Sequence, residues 1–466
     1  MKISASGGFP MHRFALDYLK EWKTKPGRKP LVVRGARQVG KSYLVRLFAK
    51  ERFQNLVELN FEREPDLGSL FASNDPEKIV QLLELRFNAA IRPGETLLFL
   101  DEIQAAPAVF AALRYFYEGL PGLHVVAAGS LLEFALEAHD FSVPVGRIEY
   151  LHLGPMQFEE FLLALGEERL ARFLAEWRRE NPIPEALHRK LMDLFRVFLV
   201  VGGMPGAAAA YAESRSPGGA EEAKHSILST FKDDFGKYGR RVNHQRLQTL
   251  FQKIPALVGG RFKYANVDRD QRAADLAKAL DLLCLARVVY RVRHSSADGV
   301  PLGAQAKDSN FKALFLDVGL MNSALGLSLL DYEQAEDVLL VHSGAVCEQA
   351  AGQHLLHSPP LYREPELYFW SREKANASAE VDYVFSEGTA VVPVEVKAGK
   401  TGRLKSLQVF LREKKRAFAI RLNSDVPTFL DAETALPDGK NAPFKLLSLP
   451  LYLVGQVRRL ARETIE

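Results

Sequence analysis

Gly35-Ala36-Arg37-Gln38-Val39-Gly40-Lys41-Ser42 follows the apolar run Leu31-Val32-Val33 and opens into the amphipathic stretch Tyr43-Leu44-Val45-Arg46-Leu47-Phe48. The spacing is G-x-x-x-x-G-K-[ST], set between an expected strand and an expected helix, which is the context a phosphate-binding loop requires. Glycines let backbone N–H groups close around phosphate oxygens, and the helix N-terminus adds positive potential. Lys41 is expected to reach the β- and γ-phosphates of ATP, and Ser42 to ligate Mg²⁺. The nucleotide-contacting residues are therefore read as Gly35, Ala36, Arg37, Gln38, Val39, Gly40, Lys41, Ser42 and Tyr43.

Working outward, LVELNF from Leu56, TLLFLDE from Thr96 and HVVAAGS from His124 read as further buried strands. Continuous apolar runs separated by amphipathic segments predict a parallel sheet covered on both faces. Asp101 and Glu102 end the third run. Their expected roles are divided: Asp101 holds Mg²⁺ through water, and Glu102 polarises the attacking water. Ser130 ends the fourth run where a polar group can sense a γ-phosphate. It is equally an N-cap for the following LLEFALE. Arg147 is a candidate to act on phosphate, in its own chain or across a subunit interface.

The chain has 466 residues, which suggests two to four domains. It is 47% hydrophobic and 25% charged, values that exclude a mainly disordered, collagen-like or disulfide-scaffold chain. The two cysteines, Cys284 and Cys347, sit apart among apolar residues and offer no zinc spacing. The N-terminus lacks an apolar signal core, and the longest uncharged stretch, Val197 to Ala212, is broken by glycines and Pro205. A cytoplasmic protein with no membrane partner is expected.

The strings GARQVGKS, LLFLDEIQ, AAGS, GRIEYLHLGPMQFEEF and VGGMPGA resemble the AAA-type P-loop ATPases common in bacteria and archaea. The resemblance runs along essentially the whole chain. It implies an α/β fold: a P-loop NTPase parallel sheet with a helical lid, a winged helix-turn-helix, and a C-terminal restriction-endonuclease-like α/β domain. The expected divisions are 1–156 for the ATPase core, 157–236 for the lid, 237–327 for the winged helix and 328–466 for the nuclease-like domain. The string from Val201 resembles the GG-x-P element of the lid, near the nucleotide base. AAA-type sites are often completed by a neighbour's arginine, which favours a homo-oligomer.

Net charge is only +4, but it is unevenly placed. Between Lys232 and Arg293 there are 14 basic and six acidic residues, a surplus larger than that of the whole chain. Arg269, Arg272 and Lys278 flank or lie on an expected recognition helix. Arg287, Arg291 and Arg293 lie on or near an expected wing. Contacts of this kind bind DNA in a salt-dependent, sequence-tolerant way. A solvated basic face or a subunit interface would need the same residues.

Near the C-terminus, Glu395-Val396-Lys397 ends the apolar run AVVPV. On a strand, Glu395 and Lys397 project together. Asp382 lies on the preceding strand, and Glu348 on an upstream helix. These four positions match the PD-(D/E)xK nuclease pattern. The resemblance implies that Asp382, Glu395 and Glu348 hold Mg²⁺ or its water, and that Lys397 orients the nucleophile. Departures are Val381 in place of proline and Pro393 inside the strand. The chain therefore reads as a Mg²⁺-dependent ATPase that couples ATP to DNA binding or processing. A nucleotide-regulated oligomeric switch without nuclease activity, and a motor that remodels DNA junctions, remain alternatives.

Overall fold

The computed structural model describes residues 11–137, 144, 146–238, 243–327, 339–372, 379–400, 404–435 and 441–465. Its first layer is a five-stranded sheet built from β1 (Leu31–Arg34), β2 (Asn55–Asn60), β3 (Thr96–Asp101), β4 (His124–Ala128) and β5 (Glu149–His152). The order is β2-β3-β4-β1-β5, with every pair parallel. Alternation explains the burial. Leu31, Val33, Leu97 and Phe99 face one core layer, whereas Val32, Leu98 and Leu100 face the other. Both faces are covered, so the strands read as unbroken apolar runs rather than alternating ones.

β5 is a fifth strand beyond the four expected. It carries two half-buried and two buried residues and joins β1 in register Leu31↔Glu149. Helices Phe158–Ala164, Glu168–Glu176, Glu185–Val201, Pro205–Ser214 and Pro217–Asp234 follow.

The second sheet has eight strands: β6 (Val289–Ser295), β7 (Ala306–Phe315), β8 (Tyr368–Ser371), β9 (Glu380–Glu387), β10 (Ala390–Val396), β11 (Phe418–Asn423), β12 (Thr428–Ala435) and β13 (Asn441–Pro450). The order is β12-β13-β11-β10-β9-β8-β6-β7. The ribbon expected as a wing is thus the edge of this sheet. β6 pairs with β7 antiparallel and with β8 in parallel, Arg293 opposite Tyr368. Strand pairing therefore crosses the division expected at residue 327. The physical reason is that the β6 edge not used by β7 still carries backbone donors and acceptors, and β8 satisfies them.

β9 and β10 form the expected hairpin, closed by Gly388-Thr389, with Val394 opposite Tyr383. β10 runs through Pro393 and pairs with β11 on its other side. The helix Leu339–His357 lies against β7 and β10. One continuous hydrophobic cluster runs from Met11 and Ala15 to Leu460 and Ala461, so the two sheets share a core. No helix among the described residues is long and apolar enough to cross a membrane.

Candidate functional sites

Because β3, β4 and β1 are parallel neighbours, their C-terminal ends share one edge, the usual place for ligands in an open α/β sheet. Gly35 leaves β1 there, Asp101 ends β3 and Ser130 follows β4. The loop turns at Gly35 (φ +154°), Gln38 (φ +64°) and Gly40 (φ +91°). A side chain at Gly35 would collide with the Leu153 carbonyl. Gly40 is the left-handed N-cap of the helix Lys41–Arg52.

Lys41 is 7% exposed, and its Nζ donates to the carbonyls of Gly35 (2.9 Å) and Ala36 (2.8 Å). Burial lowers its pKa to about 8, against the pull of Glu102 and Asp101. Ser42 Oγ lies 3.1 Å from both carboxylate oxygens of Asp101. Glu102 Oε2 accepts from Gln104 Nε2 (2.6 Å), Ser130 Oγ (3.1 Å) and Ser130 N (3.2 Å).

The two adjacent carboxylates are driven apart. Burial, helped by the charge of Glu102, raises Asp101 to about 6. Burial also pushes Glu102 up, but hydrogen bonds from Gln104 and Ser130 and the charge of Lys41 outweigh it and hold it below its ordinary value. Opposite shifts of neighbouring acids mark a division of roles. Ser42 and Asp101 offer hard oxygens, and Asp101 is short of positive charge, so the pair fits Mg²⁺.

Arg37 is paired outside the loop: its Nη1 lies 2.6 Å from Asp234 Oδ1, at the end of helix Pro217–Asp234. The Tyr43 hydroxyl accepts from the Met11 N–H at 2.9 Å. Pro205, of the VGGMPGA string, packs over Gly40. Arg147 does not join this edge. It lies just before β5, and the Leu31↔Glu149 register puts it at the opposite end of the sheet, roughly 13 Å of strand away. There its Nε meets Glu118 Oε1 at 2.9 Å, half exposed.

Sequence reading missed Arg13. This buried side chain donates to the Val39 carbonyl (2.8 Å) and the Gly154 carbonyl (2.8 Å), and pairs with Glu160 (3.0 Å). It pins the loop from behind. A single arginine near an N-terminus carries no local signal of that role.

The second group lies on the C-terminal sheet. Lys397 Nζ is 2.6 Å from Glu395 Oε1, and Asp382 Oδ2 accepts from the Val396 N–H at 2.8 Å. Glu348 approaches from helix Leu339–His357, whose backbone carbonyl at that residue accepts from the Tyr383 hydroxyl (2.7 Å). Burial and the charge of Asp382 raise both Glu348 and Glu395. Sequence reading placed these four residues but not Lys312, from β7, which enters the same cluster. Among the described residues, no three His, Cys, Asp or Glu side chains converge so as to hold a metal ion. The expected triad of Glu348, Asp382 and Glu395 is thus not a ready-made cage.

Residues 27–162 match an AAA domain model. Residues 27–162 form an AAA domain. Residues 192–331 and 343–434 match two domains of unknown function, DUF8612 and DUF4143. No curated protein matches the chain. Among solved structures, the Walker-type ATPase of Pyrococcus abyssi is 16% identical, covering 68% of this chain and 96% of its own, with TM-score 0.42. The ORC2 protein of Aeropyrum pernix with ADPNP and ADP is 15% identical, covering 71% and 98%, with TM-score 0.35.

Beyond the AAA domain, part of the basic surplus is neutralised. Arg246 pairs with Asp275, Arg261 with Glu380, Arg287 with Glu133 and Glu364, Arg291 with Asp281, and Arg293 with Glu366 and Asp308. The wing arginines therefore hold the protein together. Arg269, Arg272 and Lys278 are exposed and make no ion pair among the described residues. Arg240 and Arg241 lie outside those residues.

Proposed function

We propose that the chain is a Mg²⁺-dependent ATPase whose nucleotide state controls how its C-terminal part engages DNA. The observation that carries this reading is the convergence of Lys41, Ser42, Asp101, Glu102 and Ser130 on one edge of three parallel strands. Backbone N–H groups from Gly35 to Lys41 cradle the phosphates. Lys41 exchanges the Gly35 and Ala36 carbonyls for phosphate oxygens, which restore the charge that burial opposes. Ser42 and Asp101 would hold Mg²⁺, which would supply charge neutralisation for the phosphates. Glu102, kept ionised, orients and deprotonates the attacking water, and Ser130 fixes its position. Asp382, Glu395, Lys397 and Glu348 form the candidate DNA-processing site of the C-terminal sheet. Arg269, Arg272 and Lys278 supply phosphate contacts.

The test is steady-state ATP hydrolysis by wild type and Lys41→Ala, with and without single-stranded, duplex and branched DNA at two salt concentrations. The same DNA is scored for cleavage, with Asp382→Ala as control. DNA-stimulated, salt-sensitive turnover that disappears in Lys41→Ala is expected. Unchanged turnover in Lys41→Ala removes the phosphate-site assignment, and indifference to every DNA removes the nucleic-acid half.

A second reading, a nucleotide-regulated switch, is favoured by one feature. An ion chain, Arg34–Glu133–Arg287, capped by the exposed Glu364, leads from the residue before Gly35 to the root of β6. Slow hydrolysis with nucleotide-dependent assembly and no DNA response would select it.

A further inference from the structure

Lys312 occupies the buried half of β7, within Phe311-Lys312-Ala313-Leu314, and is 3% exposed. A lysine is almost never buried unless its charge is paired. Here its Nζ lies 2.7 Å from Glu380 Oε1, 3.6 Å from Glu348 Oε2 and 3.6 Å from Asp382 Oδ1. Phe369 closes the site from the side, its ring 5.5 Å from the ammonium. Two of the three carboxylates expected to hold a metal therefore already surround a cation. Glu380 anchors that cation and is itself shared with Arg261 Nε at 3.0 Å.

The match remains incomplete on the carboxylate side. Glu348 Oε2 and Glu395 Oε2 are buried and accept no hydrogen bond. Glu395 is 4% exposed, and its other oxygen is taken by Lys397. The cluster thus has acceptor capacity that one ammonium, with three donors in fixed reach, does not fill.

We infer that Lys312 is the resident counter-cation of the C-terminal carboxylate cluster, and that a divalent cation gains Glu348 and Asp382 only by displacing it. Two cations cannot share those oxygens at this spacing without strong repulsion. Displacement removes the ion pairs that Lys312 makes from β7 to Glu380 and Asp382 of β9 and to Glu348 of the helix Leu339–His357, while Gln349 of that helix keeps its hydrogen bonds to the Phe315 backbone of β7. The inference rests on the reading of these carboxylates as a functional site, and deepens it by naming what regulates cation entry.

The experiment is Mn²⁺ binding to the nucleotide-free full chain, followed by calorimetry and by the electron paramagnetic resonance signal of free Mn²⁺. Wild type, Lys312→Met, Lys312→Arg and Lys312→Met/Asp382→Asn are compared. Lys312→Met is expected to bind at least about tenfold more tightly than wild type, Lys312→Arg like wild type, and the double variant to lose the gain. Should Lys312→Met fail to fold, Glu380→Gln removes the 2.7 Å anchor and is expected to tighten binding in the same direction. Wild type binding as tightly as Lys312→Met overturns the role of Lys312 and leaves a metal site standing. A gain that survives Asp382→Asn places the ion elsewhere and also overturns it. No Mn²⁺ bound by any variant overturns both the inference and the metal reading beneath it.

Discussion

Glu133 Oε1 lies 3.0 Å from Arg287 Nε, with both side chains about nine-tenths buried, and the contact joins the AAA domain to the root of β6. Glu133 is three residues beyond Ser130 and also accepts from Arg34 Nε at 2.7 Å, one residue before Gly35. Burial pushes its pKa up, but the hydrogen bond from Arg34 and the charge of Arg287 outweigh that and hold it below its ordinary value. Glu133→Gln takes the carboxylate from Arg34 and leaves Arg287 only the exposed Glu364, so it should approach the about 3–5 kcal/mol cost of breaking a buried pair. Arg287→Met leaves Glu133 paired with Arg34 and should cost less. The double variant should lose less than the two combined, because the contact between Glu133 and Arg287 is lost only once. Denaturant unfolding of the four proteins checks this; strict additivity would show that the pair is not coupled.

The hold of Ser130 and Gln104 on Glu102 predicts different losses for different variants. Glu102→Gln keeps both hydrogen-bonding shape and nucleotide contacts but cannot take a proton. Hydrolysis should fall by roughly 10²–10⁴-fold, the usual worth of a general base, with nucleotide affinity retained. Ser130→Ala leaves the carboxylate in place with two of its three donors, because the backbone N–H remains, and should reduce turnover far less. Single-turnover hydrolysis, with fluorescent-nucleotide binding on the same samples, separates the two. Equal loss in both would make Ser130 more than a positioning group.

What the sequence reveals here follows from how local each feature is. The loop from Gly35 to Ser42 is one contiguous string with fixed spacing. The strands behind it are unbroken apolar runs because both faces are covered. Glu149–His152 escaped notice because a short edge strand with two half-buried residues has no such run. The β6–β7 ribbon was legible as a hairpin, but its membership of the eight-stranded sheet depends on β8, more than 70 residues onward. Arg13, Lys312 and the partners of Arg287 share that difficulty. Each is an ordinary charged residue whose role exists only because a distant segment folds against it, as Arg13 does with Glu160.

Ion pairing of the middle segment changes which arginines can meet DNA. Arg291 and Arg293 are committed to Asp281 and to Glu366 with Asp308, whereas Arg272 and Lys278 are exposed. Arg272→Ala and Lys278→Ala should each weaken binding to any duplex and reduce the salt slope by about one. Arg291→Ala should leave that slope unchanged while lowering stability. Fluorescence anisotropy titrations at several salt concentrations give the slopes. A larger effect from Arg291 than from Arg272 would mean that the ribbon opens to receive DNA.

Acid should loosen the seam between the AAA domain and the helix Leu339–His357. His354 Nε2 accepts from the Phe158 N–H at 3.0 Å, and its Nδ1 faces the Ala350 carbonyl at 2.7 Å, so the folded protein requires the neutral ring. Burial lowers its pKa to about 4, and burial likewise lowers His152 and His357, each to about 3. In the unfolded chain a histidine titrates near 6.5. Between those values the unfolded state binds more protons, so stability is full above about pH 6.5 and falls as pH drops toward 4. Each such histidine contributes a slope of up to about 1.4 kcal/mol per pH unit in that window. His354→Gln, which keeps an acceptor for the Phe158 N–H but does not titrate, should be less stable than wild type at pH 7.5 and show a shallower decline. Denaturant midpoints between pH 7.5 and 4.5 measure both slopes, and parallel slopes would show that His354 is not held neutral by the fold.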